Sequence, residues 1–169
     1  SDEGKAVLLF KLITDTIKRD ADGINPLKPF LNQIDQIASL EDVQNYLIKT
    51  QPYGSGGIFG FYVSSDAKDS DKNVPHVYAG PLGIERDYYV KDDEDSKKVK
   101  AQYETHVARM LGFLGTDETE SAALAATVVA LETQMAAARL DKVERRDPAK
   151  RYNPTAMEGL QSLVSSVNW

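Results

Sequence analysis

The chain contains no cysteine. That excludes disulfide bridges, thiolate zinc sites and thiol catalysis. There are only two histidines, His76 and His106. They are not four residues apart and fall on different elements, so no H-E-x-x-H set of zinc ligands can be assembled. No apolar run approaches the ~20 residues needed to span a bilayer. Cationic excess is also missing: 20 Lys and Arg stand against 26 Asp and Glu, with a formal charge of −6 and a pI near 5.0. Phosphate backbones are bound through clustered Lys and Arg, so this balance argues against nucleic acid as a partner. The basic residues that do cluster are Lys97, Lys98 and Lys100, then Arg145 and Arg146. Acids interrupt them, and a solvated helix face is the preferred reading. No serine sits in a nucleophile elbow.

What is present suits one folded domain or a piece of a larger one, with 41% hydrophobic and 27% charged residues in 169. The opening Ser1-Asp2-Glu3-Gly4 is acidic and unlike a secretory leader. A helical pattern begins at Lys5 and another runs nearly to Trp169. Both ends therefore fit excision from a longer chain, and removal of a leader is the alternative.

The spacing of Leu8, Leu9, Leu12, Ile13 and Ile17 predicts a helix from Lys5 to Asp20, stopped by Gly23. Pro26 suits the first turn of the next element. Leu27, Phe30, Leu31, Ile34 and Ile37 form the stripe of a second helix. Ser39 and Asp42 predict the N-cap of a third, carrying Val43, Tyr46 and Leu47. Short links between the three suggest an antiparallel cluster over residues 1–52. Residues 53–91 read as a hairpin and a linking stretch. Ile58 to Ser64 is expected to pair with Val74 to Tyr78, with Phe59, Phe61 and Val63 on one face.

Residues 92–169 return to a helical pattern. Asp92 to Ser96 is an acidic lead into a helix, placed at its positive end. That helix is striped by Val99, Tyr103, Val107, Met110, Leu111 and Leu114 and closed by Gly115. Thr116 or Asp117 caps an alanine-rich helix with the stripe Leu124, Val128, Leu131 and Met135. Glu118, Glu120, Glu132 and Arg139 rule out a membrane span there. Asp141 to Asn153 reads as charged and irregular, with Asp147-Pro148 as a turn. Thr155 and Glu158 predict a capping box for a last helix bearing Met157, Leu160, Leu163 and Val167. The expected fold is mainly α, a helical lobe with one small β-hairpin insertion.

Several sharper readings compete with bland ones. The glycines between Pro52 and Gly57 could form a phosphate cradle, but the lysine and Ser/Thr of a P-loop are absent and no strand leads in. Asp69, Asp71 and Asn73 open like a calcium loop. However, Val74 stands at the glycine position and Gly80 at the closing glutamate position, which favours a solvated hairpin loop. His106 lies beside a core stripe and reads as a partly buried structural residue; His76 reads as a strand-face residue. The run Asp92, Asp93, Glu94 and Asp95 reads as solvent-facing. Arg86 with Asp87 could hold a substrate carboxylate, but an internal ion pair is favoured.

The stretch Leu82-Gly83-Ile84-Glu85-Arg86-Asp87-Tyr88-Tyr89 resembles the neprilysin family of zinc metallopeptidases, which includes endothelin-converting enzymes and bacterial oligopeptidases. The family pattern is Leu-Gly-Leu-Pro followed by Arg-Asp-Tyr-Tyr; Glu85 stands where a proline is usual, which bears on the local turn. The neighbours follow in the family's order. Upstream are Pro26-Leu27 with Ile34 and Ile37, then Phe59 to Val63 and the Asp66-Ala67-Lys68-Asp69-Ser70 loop. Downstream are the Tyr103 to Gly115 helix, Leu131-Glu132, Arg146-Asp147-Pro148 and Tyr152-Asn153. The resemblance spans nearly the whole chain.

The resemblance implies part of the N-terminal, non-catalytic helical region. The family's H-E-x-x-H helix, third zinc ligand and substrate-backbone strand lie in a C-terminal region absent here. Its carboxylate-reaching arginine segment lies before this chain's start. No catalytic, cofactor-binding or metal residue is therefore carried over to any position, and zinc is expected only in the parent enzyme. The first expectation is a substrate-enclosing lobe whose partners are the catalytic lobe of the same parent chain and peptide substrates. The second is a stand-alone helical interaction module. The third is a self-sufficient enzyme, which would need His76 or His106. An exported parent, whether periplasmic, surface-anchored or secreted, is expected from the cysteine-free composition and the resemblance.

Overall fold

The computed structural model describes residues 1–53 and 57–169. The glycine loop weighed as a phosphate cradle falls mostly on residues 54–56, outside the described residues. Among the described residues the fold is mainly α with one two-stranded antiparallel hairpin. The chain divides into two compact units, Ser1–Ala38 and Ser39–Trp169.

The first unit holds α1 (Asp2–Thr14), α2 (Thr16–Asp22), a 3-10 turn at Asn25–Leu27 and α3 (Lys28–Ile34). The single helix expected from Lys5 to Asp20 is broken at Asp15. Its carboxylate accepts the Lys18 N–H at 2.9 Å, so Asp15 caps a new helix and does not continue the old one. Gly23 ends α2 with φ 52°, and Pro26 lies in the first turn of the next element, both as expected. Ile37 falls beyond the end of α3. Within this unit α1 buries none of its apolar side chains.

The second unit opens with Ser39 capping α4 (Leu40–Thr50). The Ser39 hydroxyl accepts the Asp42 N–H at 3.1 Å and donates to the Asp42 carboxylate at 2.7 Å. Strands β1 (Phe59–Ser65) and β2 (Asn73–Ala79) pair in the register Phe61↔Val77 and Tyr62↔His76. Pro75 is tolerated because a two-stranded sheet has only edge strands. α5 (Arg86–Val90), α6 (Glu94–Gly112) and α7 (Glu118–Ala137) pack on one another. Asp93 caps α6 and Asp117 caps α7, each accepting the N–H three residues on. Past the end of α6, Gly115 takes φ 105°, a conformation that side chains with a Cβ resist.

The buried faces differ in part from those read off the sequence. On α7 the buried residues are Ser121, Ala125, Val129 and Ala136, whereas Leu131 is 55% exposed. Two causes act together. Small side chains let the neighbouring helices approach closely, and Glu132, on the same face, must reach partners in the segment before α5. On α6, Val99, Tyr103, Val107 and Leu111 point inward, but Met110 remains exposed, as does Leu114 just past the helix end.

The charged stretch after α7 is more regular than expected. It forms a 3-10 turn at Glu144–Arg146 and α8 (Pro148–Arg151), with Asp147 accepting the Ala149 N–H. The capping box at Thr155 does not form. Its hydroxyl donates to the Asn153 carbonyl at 3.2 Å, and α9 (Met157–Leu163) starts after Ala156 with no side-chain cap. Val167 lies past the end of α9.

Candidate functional site

Two features of the second unit stand out: a polar clasp around residues 80–89 and an apolar groove. The clasp is organised by α7. One oxygen of Glu132 accepts the Gly83 N–H at 3.0 Å, and the other accepts the Tyr89 hydroxyl at 2.7 Å. The same phenol oxygen accepts the Ile84 N–H at 3.2 Å. Hydrogen bonds to a charged acceptor contribute about 1.5–3 kcal/mol each. Two turns on, the Arg139 guanidinium donates to the Gly80 carbonyl, while the Arg139 carbonyl accepts from Arg86 Nε at 3.0 Å.

Tyr89 is 3% exposed, and the Tyr103 ring meets it edge-on with centroids 6.3 Å apart. Burial first, then the Glu132 hydrogen bond, push the Tyr89 phenol well above the ordinary tyrosine range. Gly83 has no room for a side chain, because a Cβ there would lie 1.8 Å from the Tyr103 hydroxyl oxygen. Glu85, in the place of the usual proline, has φ −61° and ψ 141°. That φ is the one a proline ring imposes, so the turn is kept without the ring.

Arg86 and Asp87 are both about one-fifth exposed, and their charged atoms are 3.7 Å apart. The expected internal pair is therefore long. The nearer partner of Asp87 is Lys91 at 3.0 Å, whose hydrogen bond holds the Asp87 carboxyl below its usual range. Arg86 instead spends its Nε on the Arg139 carbonyl.

The groove lies between α4, the hairpin and the segment after α9, and has a volume of about 740 Å³. Leu47, Ile48, Phe59, Phe61, Val77 and Trp169 are among its lining residues. A reciprocal pair holds its far wall: Gln44 Nε2 donates to the Asn168 carbonyl at 2.7 Å, and the Asn168 N–H donates to Gln44 Oε1 at 3.0 Å. Trp169 stacks obliquely on Phe59 at 5.1 Å. Ile48 is 60% exposed and Ile58 57%.

The remaining sequence candidates are scattered. His76 stacks on Tyr62 at 5.0 Å, with Nε2 3.3 Å from the Ser65 carbonyl oxygen, as a strand-face residue would. His106 is exposed on α6, which corrects the expectation of partial burial: the helix turns its Tyr103 and Val107 side inward. Asp69 pairs with Lys72 at 2.7 Å. Asp66, in the same loop, accepts the N–H groups of Lys68 and Asp69 and the Tyr152 hydroxyl. Of the acidic run, Asp93 serves as a cap, and Asp92 pairs with Lys97 in solvent. Among the described residues, no group of three or more His, Asp or Glu could hold a metal ion. The described residues do not fit a zinc site.

Glu132 and Arg139 were read from sequence only as charges that interrupt an apolar helix. The available signal was their spacing. Seven residues apart, they fall at helical spacing in an alanine-rich stretch, Glu132 within α7 and Arg139 two residues past its end.

The family described as peptidase family M13, in its N-terminal region, matches residues 1–169. Endothelin-converting enzyme 1 of Cavia porcellus is 32% identical over 125 residues, covering 72% of this chain and 16% of that protein. The electron cryomicroscopy structure of the Mycobacterium tuberculosis zinc metalloprotease Zmp1 in its open state is similar with a TM-score of 0.80 and 35% identity. It covers 88% of this chain and 23% of that one. PepO from Lactobacillus rhamnosis shares the fold, with a TM-score of 0.74 at 18% identity over 88% of this chain and 24% of its own. The chain thus spans less than a quarter of the length of these relatives.

Proposed function

The chain belongs to peptidase family M13, and from that premise we propose that it is a non-catalytic, substrate-enclosing lobe of a longer neprilysin-like zinc metallopeptidase. The observation that carries this reading is the open apolar groove, in a chain spanning under a quarter of its relatives. A surface lined by Ile48, Phe61 and Val77 is costly to leave in water, at about 25 cal/mol per Å² of apolar area. It suits a face that the remainder of a longer protein covers.

The lobe's contribution is steric and entropic. Its walls exclude folded proteins and narrow the orientations of a flexible peptide, so that reaction occurs from a restricted set of poses. The clasp serves this by fixing the hairpin end at Gly80 to the α5–α7 bundle through Arg139 and Glu132. No residue of this chain is assigned a chemical step. Metal-assisted hydrolysis belongs to the region that carries the zinc ligands.

The test is zinc stoichiometry and peptide hydrolysis after dialysis of the purified chain against excess zinc. The reading predicts no tightly held zinc and no hydrolysis of an unstructured peptide. One zinc per chain, or hydrolysis abolished by substituting His76 or His106, would overturn it. The same groove supports a second reading, a stand-alone interaction module. A reading frame continuing past Trp169 into an H-E-x-x-H helix decides for the first.

A further inference from the structure

Neither the clasp nor the groove uses a second hollow of about 490 Å³, walled by Glu85, Lys142, Arg145, Arg146 and Arg151. Its charge runs against that of the chain. The whole sequence carries −6, yet residues 141–151 hold five basic residues against three acidic ones. All three acids are already engaged. Asp141 accepts the N–H groups of Val143 and Glu144 at 2.8 and 2.7 Å. Glu144 pairs with Lys150 at 2.7 Å, and Asp147 accepts the Ala149 N–H at 2.9 Å. Of the residues walling the hollow only Glu85 is acidic; it lies 3.8 Å from Lys142, and both are more than half exposed. Among the described residues no carboxylate pairs with Arg145, Arg146 or Arg151.

The arginines are not on a loose strand. The 3-10 turn is closed by Arg146 N–H to the Val143 carbonyl and Asp147 N–H to the Glu144 carbonyl, both 3.0 Å, and α8 follows at once. Backbone hydrogen bonding therefore fixes the positions from which the three arginine side chains extend, while their acidic neighbours are tied up locally.

We propose that this hollow binds a multiply charged oxyanion of the phosphate class, taken either free from solution or as a lipid headgroup. Guanidinium groups offer paired donors that match phosphate oxygens two at a time. Three unpaired arginines and a lysine shared with Glu85 exceed what a single carboxylate would neutralise, which favours a dianion or higher. Because the walls are exposed, binding weakens as salt rises.

The test is calorimetric titration of the chain with pyrophosphate at low ionic strength, paired with sedimentation on phosphatidylcholine vesicles with and without phosphatidic acid. Saturable binding of pyrophosphate indicates the free anion; binding only to vesicles with phosphatidic acid indicates the headgroup. In either case R146Q with R151Q should weaken binding by about tenfold or more, the loss expected when charge-assisted hydrogen bonds are removed. E85Q should tighten it, a gain that damaged folding cannot mimic, and K98Q with K100Q on α6 should leave it unchanged. Neither probe binding, binding indifferent to R146Q with R151Q, or a glutamate-rich peptide displacing pyrophosphate as the tighter ligand would overturn the proposal.

Discussion

The clasp and the groove belong to the same compact unit but solve opposite problems. Around the clasp, Tyr89, Ala125, Val129 and Ala136 are buried, and the polar atoms of Glu132, Tyr89 and Arg139 all find partners. That region finishes its own packing. Around the groove, Ile48 and Ile58 stay more than half exposed, and the hairpin turns Phe61 and Val77 toward open space. The difference separates a region that completes its own packing from an apolar face left open to solvent. Stability should reside in the clasp, and association in the groove.

The largest effect is expected at the centre of the clasp. Glu132→Ala leaves the Gly83 N–H and the Tyr89 hydroxyl without their charged acceptor. It should lower unfolding free energy by about 3 kcal/mol, with Glu132→Gln costing less, as read by urea denaturation. Gly83→Ala drives a Cβ into the Tyr103 hydroxyl and should cost about 2 kcal/mol by the same measurement. A cost below about 0.5 kcal/mol at both positions would erase the contrast between the two regions.

Alkaline pH sharpens it further. The Tyr89 phenol titrates higher in the folded chain than in the unfolded one, where it ionises near pH 10. Its contribution is therefore complete below about pH 10 and is lost as pH rises above that toward the folded value. Stability should fall on the alkaline side, and Tyr89→Phe should flatten that limb while lowering stability at neutral pH. A wild-type limb unchanged by Tyr89→Phe would place the titration elsewhere.

The smallest effect on stability belongs to the groove. Ile48→Ser with Phe61→Ser should change unfolding free energy by no more than about 0.5 kcal/mol, since exposed side chains give up little on removal. A large loss there would mean that the groove is core, not surface.

Much of this was legible in the residues. Ser39 and Asp42 announce a cap because a short hydroxyl side chain can take an orphan N–H, and that cap forms. The hairpin follows from alternation at Phe59, Phe61 and Val63, and its ends fall within a residue of expectation. The order of short matches around Leu82 to Tyr89 identified the family and the mainly helical fold. What failed were choices decided by distant partners. Leu124 and Leu131 make the more hydrophobic stripe, yet α7 turns to place Glu132 against Gly83 and Tyr89, residues 49 and 43 positions away. Asp15 and Thr155 failed for the local counterpart of that reason. Each bonds to a nearby backbone group and moves a helix boundary. The groove had no sequence signature, because it joins α4, the hairpin and the last residues only through the fold.

The most direct test of the central contrast is binding of an environment-sensitive apolar dye to the purified chain. Trp169, the single tryptophan and part of the groove wall, provides an internal reporter. The account predicts saturable dye binding accompanied by a change in Trp169 emission, both abolished by Ile48→Ser with Phe61→Ser while the circular dichroism stays unchanged. A monodisperse monomer that binds no dye and leaves Trp169 emission unaltered would contradict it.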